Sequence, residues 1–205
     1  VANIGDLDGD GVNDIAVGEH LASKIYILFM RTDGTVHKTE EINATTLADV
    51  GVTPLFGASD RFGVSVANIG DLDGDGVNDL AVGAHRDNGA GLINSGAVHI
   101  MFMNIEGTVH KTKEINSSTT SLGLVAHDMF GVSVANIGDL DGDGVNDLAV
   151  GAAYDNSNDG KGAVHIIFMN IDGTVKSTEE INSSTTCTSS PCLDLVDDDQ
   201  FGSSV

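Results

Sequence analysis

Short runs of apolar residues, bounded by Gly, Asp or Asn, recur along the whole chain. One kind is apolar at nearly every position, as in "KIYILFM", "AVHIMFM" and "AVHIIFM", and predicts a strand covered on both faces. A second kind, such as "GTVHKTKEI", alternates apolar with polar residues and predicts a half-exposed edge strand. No stretch shows a helical period with capping residues. The pattern therefore predicts an all-β chain.

These runs follow one another in a fixed order three times, since "VANIGDLDGDGVND" begins at Val1 and returns, unchanged, at Val66 and Val134. Each copy continues with an apolar strand, a variable loop, the fully apolar run, a turn and the alternating strand. The turns are Asp-Gly or Glu-Gly pairs, which favour tight hairpins: Asp33-Gly34, Glu106-Gly107 and Asp172-Gly173. The sequence predicts three four-stranded antiparallel units, at residues 1–65, 66–133 and 134–205.

A single four-stranded sheet cannot cover both of its faces, and repeated sheets of this kind stack face to face as β-propeller blades. A twelve-stranded β-sandwich is the alternative, but it would not need near-identical units. Closed propellers carry roughly 4–8 blades. We therefore predict that the three blades belong to a larger propeller, or that chains associate by sharing a strand divided between Phe201–Val205 and Val1–Ile4.

The segment D-x-D-x-D-G-x-x-D occurs once in each unit and has the spacing of a metal-binding loop. Carboxylates at positions 1, 3 and 5 can point at one centre, Gly at position 6 permits the turn, position 7 offers a carbonyl, and position 9 adds a carboxylate. The predicted ligands are Asp6, Asp8, Asp10, Val12 and Asp14; Asp71, Asp73, Asp75, Val77 and Asp79; and Asp139, Asp141, Asp143, Val145 and Asp147.

All-oxygen ligands on a flexible loop favour Ca²⁺ over Mg²⁺, so three Ca²⁺ sites are predicted. An EF-hand is excluded, because position 12 is Val17, Val82 or Val150 instead of Glu and a strand follows. The alternative is that these are ordinary soluble Asp-Gly turns, which do not require four Asp at ligand spacing three times over. We expect the metal to be structural and to lock each first hairpin.

The order of these motifs resembles the FG-GAP repeats of the integrin α-subunit β-propeller and its prokaryotic relatives. The Phe-Gly half is matched by Phe62-Gly63, Phe130-Gly131 and Phe201-Gly202. The resemblance implies a propeller of about seven blades, and calcium loops that position 9 closes within a β-hairpin. It also implies an extracellular or cell-surface protein acting in adhesion or in structural, even filamentous, assembly. The alternative is a ligand- or glycan-binding module of a larger surface protein or secreted enzyme.

The remaining candidate sites are covalent. Cys187 and Cys192 are close enough in sequence to form a small loop-closing disulfide, with two free thiols as the alternative. Three sequons lie at matching positions and predict glycosylation unless they are merely copies of a Ser/Thr-rich loop: Asn43, Asn116 and Asn182.

Histidine is scattered along the chain. His99 and His165 share one strand position and are expected to be packing or edge residues, not ligands. His37 and His110 lie on the polar fourth strand and are expected to be solvated.

A formal net charge of -22 argues against binding to nucleic acid or to anionic membranes, which require clustered Lys and Arg. The chain has no run of 18 apolar residues, so membrane insertion is not predicted. No nucleophile, zinc-protease or phosphate-loop motif is present, and no enzymatic activity is predicted. The expected partners are neighbouring blades or a second copy through the split strand, with a protein or glycan ligand as the further alternative.

Overall fold

The computed structural model describes residues 1–53, 55–119, 122–155, 160–185 and 193–205. Within these residues, twelve strands form three four-stranded sheets, and in each sheet the strands pair with their neighbours in chain order, all antiparallel. The all-β fold of propeller blades predicted from the sequence is confirmed. Among the described residues, no helix has the length and apolar character needed to cross a membrane.

Each blade is one meander. Blade 1 comprises β1 (Ala2–Gly5), β2 (Asp14–Glu19), β3 (Lys24–Met30) and β4 (Val36–Ile42); blade 2 comprises β5 (Val66–Gly70), β6 (Asp79–Ala84), β7 (Ala97–Met103) and β8 (Val109–Ile115); blade 3 comprises β9 (Phe130–Gly138), β10 (Asp147–Ala152), β11 (Ala163–Met169) and β12 (Val175–Ile181). The unit boundaries at residues 66 and 134 stay predictions.

The blades pack face to face through two apolar clusters, because blade 2 is apolar on both sides. Alternate residues of β7 point to opposite faces. Met101 and Met103 join blade 1 residues such as Ile27 in one cluster, while Ile100 and Phe102 join blade 3 residues in the other. Every residue of β7 is buried, which explains why its sequence does not alternate.

Glycine permits a close approach between consecutive blades. The carbonyl oxygen of Gly131, the Gly of a Phe-Gly pair, lies only 1.9 Å from where a Cβ on Gly83 would stand. The same approach joins Gly18 to Gly63 and Gly151 to Gly202. The Gly of the Phe-Gly motif therefore lies in direct contact with the preceding blade. The residue opposite it on that blade must also be Gly, because there is no room for a side chain.

One short helix departs from the predicted absence of helix. α1 (Ala44–Asp49) is six residues long and begins at a capping box, in which Asn43 Oδ1 accepts from the Thr46 N–H and Thr46 Oγ1 accepts from the Asn43 N–H. Two 3₁₀ turns, His20–Ala22 and Gly89–Gly91, are shorter still. A segment of this length is too short to show a period, so only its cap could have indicated it.

Replacing this cap tests its contribution. Asn43→Ala is expected to lower the free energy of unfolding by about 1 kcal/mol and the melting temperature by about 2–4 °C, because two amides at the start of α1 lose their acceptor. Asn43→Ser, which keeps a capping oxygen, is the matched control and should stay close to wild type in thermal unfolding. Equal loss in both variants would contradict a capping role.

Candidate metal centre

The Asp at position 1 wraps each loop around its own carboxylate. In blade 2, Asp71 Oδ1 accepts from the N–H groups of Gly74 and Asp75 at 2.8 and 2.9 Å, and Oδ2 accepts from Gly76 at 2.8 Å. Asp139 makes the equivalent three bonds in blade 3, and Asp6 makes the bond to Gly11. Gly76 has a φ of 92°, a conformation that side chains disfavour, so position 6 must be Gly for the loop to close.

The Asp at position 9 connects the loop to the body of the blade. Asp79 is fully buried, and its two oxygens accept from the N–H of Leu72 in the loop and of Met103 at the end of β7, each at 2.9 Å. Asp14 and Asp147 make the same pair of bonds. Each oxygen retains a second lone pair, so a buried carboxylate that positions the hairpin can still ligate an ion.

Positions 3 and 5 leave acceptor oxygens directed into the loop. Oδ1 of Asp73 is buried and has no hydrogen-bond partner among the described residues, whereas Asp75 Oδ1 accepts from the Val77 N–H at 2.8 Å. In blade 1, one oxygen each of Asp6, Asp8 and Asp14 lie within 4.8 Å of one another. A buried carboxylate oxygen without a partner is costly, and a bound cation would supply that partner.

The electrostatics of the loop also favour a cation. The pKa of Asp79 is raised to about 6, mainly by burial and to a smaller extent by the nearby charges of Asp73 and Asp75. Crowded carboxylates repel one another unless a positive charge lies among them. The donor set consists of oxygen, which suits a hard divalent ion such as Ca²⁺.

A basic residue on the fourth strand reaches each loop, which the sequence analysis missed. His37 Nε2 lies 3.6 Å from Asp8, and His110 Nε2 lies 3.4 Å from Asp73. In blade 3 the equivalent residue is Lys176, whose Nζ lies 2.6 Å from both Asp141 and Asp143. The sequence feature that could have indicated this contact is a basic residue directly after Gly-Thr-Val in every unit. The ammonium of Lys176 shows that these carboxylates can hold a positive charge between them.

Positions 7 and 8 join the loop to its surroundings. The side chains of Val77 and Val145 pack against the apolar clusters, so the valine at this position is held by packing while its backbone carbonyl remains the predicted ligand. Asn78 Nδ2 donates to the Ile4 carbonyl of blade 1 at 2.9 Å, and Asn146 Nδ2 donates to the Ile69 carbonyl of blade 2 at 3.0 Å. The loops of blades 2 and 3 are thereby connected to the first strand of the preceding blade.

The three sequon asparagines occupy equivalent turns after the fourth strand. Each side-chain amide donates to the Glu two residues earlier: Asn43 to Glu41, Asn116 to Glu114 and Asn182 to Glu180. Asn116 is also 9% exposed, so a glycan there would have to be attached before folding. Glycosylation stays a prediction. The predicted disulfide between Cys187 and Cys192 falls outside the described residues.

Comparison with known proteins finds the same kind of repeat in the first and the last part of the chain. The FG-GAP-like repeat model matches residues 6–82, and the FG-GAP repeat model matches residues 130–167. The chain is 32% identical over 157 residues to integrin alpha-4 of Xenopus laevis and 31% identical over 166 residues to integrin alpha-PS2 of Drosophila melanogaster.

Those alignments cover 74% and 79% of this chain but only 14% and 11% of the two relatives. A shorter alignment, to integrin alpha-6 of Homo sapiens, is 40% identical over 103 residues. The similarity therefore concerns the repeats, and it accords with the sheet order, the Asp loops and the Phe-Gly contacts described above. The chain belongs to the FG-GAP repeat family, and its sheets are β-propeller blades of the integrin α type.

Proposed function

We propose that this chain forms calcium-stabilised propeller blades that act outside the cell, in cell-surface adhesion or in structural assembly. Calcium would be held by the carboxylates at positions 1, 3, 5 and 9 and the carbonyl at position 7 of each loop. The buried, unpartnered Oδ1 of Asp73 supports this assignment. The bound ion would neutralise the crowded acids and fix each first hairpin; it has no catalytic part in the proposal.

The observation that carries the assembly function is the outer face of blade 3. Leu72, Ile100 and Phe102 of blade 2 are buried against blade 3. Their counterparts Leu140, Ile166 and Phe168 are less covered, and Leu140 is 58% exposed. A further blade of the same kind would cover this face as blade 3 covers blade 2.

The segment that begins at Phe201 supports the same proposal. The Gly202 carbonyl accepts a hydrogen bond from Ser133 Oγ at 2.7 Å, as the Gly131 carbonyl accepts one from Ser65 Oγ at 2.9 Å. Phe201 also bridges to Gly162 as Phe130 bridges to Gly96. Successive blades of the chain thus use one repeated contact, and assembly of separate chains would repeat it.

Size-exclusion chromatography with light scattering, in saturating calcium, tests this assembly. The wild type is expected to associate, and Leu140→Asp is expected to be monomeric because a charge on the outer face of blade 3 opposes packing of another blade. Leu21→Asp, at a site that is 70% exposed in the first 3₁₀ turn, is the control and should associate normally. A monomeric wild type that binds a glycan array would contradict assembly and favour the ligand-binding alternative.

Lys176 should weaken calcium binding in the third loop, because its ammonium competes for Asp141 and Asp143. Lys176→Ala is expected to tighten that site roughly two- to five-fold. The Gly144 amide, which donates to Asp139 at 2.8 Å, reports on this loop in a calcium titration followed by NMR. Lys38→Ala, on the neighbouring position of the fourth strand in blade 1, is the control. No change in the Lys176→Ala midpoint would contradict the competition.

A further inference from the structure

A second kind of polar cluster lies away from the Asp loops, where the third and fourth strands of a blade meet the loop after the second strand. In blade 2 it comprises Asp87, His99 and Glu114, which each direct a ligand atom to within 4.8 Å of the others; in blade 3 the cluster is Asp155, His165 and Glu180. His99 pairs with Glu114, and His165 with Glu180, across the two strands. The same three residue types therefore recur in the same register.

Both histidines are buried, and His99 lacks the hydrogen bonds that a buried imidazole would be expected to make. His99 is 0% exposed, and neither of its ring nitrogens has a hydrogen-bond partner among the described residues. The His165 ring is 1% exposed, and its Nε2 lies 2.8 Å from Asp155 Oδ2. Imidazole nitrogens without partners in a buried site are costly. A packing role alone therefore leaves the two ring nitrogens of His99 unexplained.

Aromatic rings hold each imidazole towards the carboxylates. The rings of Phe56 and Phe62 meet His99 edge-on at centroid distances of 5.3 and 5.6 Å, and Phe130 meets His165 in the same way at 5.4 Å. Such packing restricts the rotation of the ring. A ligand that is positioned in advance loses little conformational freedom when an ion binds.

Blade 1 has a cation at the equivalent place. There Tyr26 replaces the histidine and Lys24 replaces an alanine, Ala97 or Ala163. The Lys24 ammonium lies 3.2 Å from Glu41 and 3.4 Å from Glu19, and 4.8 Å from the centroid of the Tyr26 ring. Blade 1, which lacks the histidine, thus supplies its own positive charge through Lys24. Blades 2 and 3, which have the histidine, carry only an alanine where Lys24 stands in blade 1.

The glutamate is oriented alike in blades 1 and 2. Asn43 donates to Oε1 of Glu41 while Oε2 faces Lys24, and Asn116 likewise donates to Oε1 of Glu114 at 2.6 Å. The second oxygen of Glu114 is thereby left for another partner. Asp128, just before β9, lies near Asp155, His165 and Glu180 of the blade 3 cluster. It is 0% exposed, and its Oδ1 has no hydrogen-bond partner in the described part of the chain.

We propose that each of these two clusters binds a divalent transition-metal ion through one imidazole nitrogen and two carboxylates, distinct from the calcium loops. Mixed nitrogen and oxygen ligands suit Zn²⁺ and its neighbours, whereas Ca²⁺ takes oxygen alone. Three protein ligands leave a coordination position for water. The ion would join the third strand, the fourth strand and the preceding loop, as the Lys24 ammonium does in blade 1.

Zinc titration of the calcium-saturated protein, followed by calorimetry, tests the proposal, since excess calcium keeps the Asp loops occupied. Two zinc ions per chain are expected for the wild type, one for His99→Ala or His165→Ala, and none for the double variant. His20→Ala removes an exposed imidazole and should keep both sites. Zinc that excess calcium displaces would belong to the Asp loops and would overturn the proposal, as would unchanged binding in the double variant.

A buried-histidine variant can fail to fold, so a milder change is needed as well. Asp87→Asn keeps the shape of the side chain and is expected to weaken one of the two sites at least about ten-fold. Co²⁺ can replace Zn²⁺ as a spectroscopic probe, and its absorption bands from sites with nitrogen and oxygen ligands should fall to half in this variant. Circular dichroism verifies that the variant is folded. Full-strength bands in a folded Asp87→Asn protein would contradict the assignment in blade 2.

Discussion

Removal of calcium is expected to lower the melting temperature by about 15 °C or more. A ligand present at 100 times its Kd stabilises a protein by about 2.7 kcal/mol, and the three proposed sites would act together. For a chain of this size each kcal/mol corresponds to about 2–4 °C. Without the ion, four carboxylates remain crowded in every loop, which adds to the loss. Thermal unfolding in calcium, in chelator and after readdition of calcium measures the effect.

Single substitutions separate metal loss from general charge effects. Asp73→Asn removes the carboxylate whose buried oxygen lacks a partner, and it should reduce the calcium-dependent gain in melting temperature by about a third. Asp49→Asn removes the same charge from an exposed residue at the end of α1 and should leave that gain unchanged. A melting temperature that chelator does not alter would contradict the structural role of calcium.

Gly83→Ala is expected to destabilise the protein by more than about 3 kcal/mol. Its Cβ would stand 1.9 Å from the Gly131 carbonyl oxygen and 2.3 Å from Ser65 Oγ. Gly83 also donates to the Ser65 carbonyl and accepts from the Gly63 N–H, so the backbone is held from both sides. Blades 2 and 3 would have to separate to relieve this clash. Unfolding by denaturant should therefore show a lower midpoint for Gly83→Ala than for the wild type.

The control for this substitution is Gly57→Ala. The nearest atom to a Cβ on Gly57 is Asp60 Oδ2 at 3.4 Å, an ordinary contact, and its φ is not in the left-handed region. We expect a change within about 1 kcal/mol. If Gly83→Ala were tolerated as well as Gly57→Ala, the close approach of the blades would not be a constraint on the motif.

The strands and the Asp loops could be predicted because their signals are local and repeated. Whether a strand is buried on one face or two is visible in its own residues, as in β7, where no position is polar except His99. The loop spacing from Asp71 to Asp79 likewise implies convergence of carboxylates whatever surrounds them. Three copies made each of these local signals stronger than a single occurrence would have been.

Contacts between distant residues could not be predicted in the same way. The bond from Asn78 to the Ile4 carbonyl spans two blades, and the approach of Lys176 to Asp141 depends on how β12 lies beside a loop that precedes β10. The clusters around His99 and His165 bring together residues from two strands and a loop. Nothing in the spacing of those residues along the chain indicates that they meet.

Hydrogen exchange at three equivalent amides tests the central claim most directly. The N–H groups of Leu7, Leu72 and Leu140 donate to the buried Asp at position 9 of their loops. If calcium locks these hairpins, saturating calcium should slow their exchange about 100-fold, whereas the Thr46 amide, capped by Asn43, should change much less. Equal exchange of the three leucine amides with and without calcium would contradict the account.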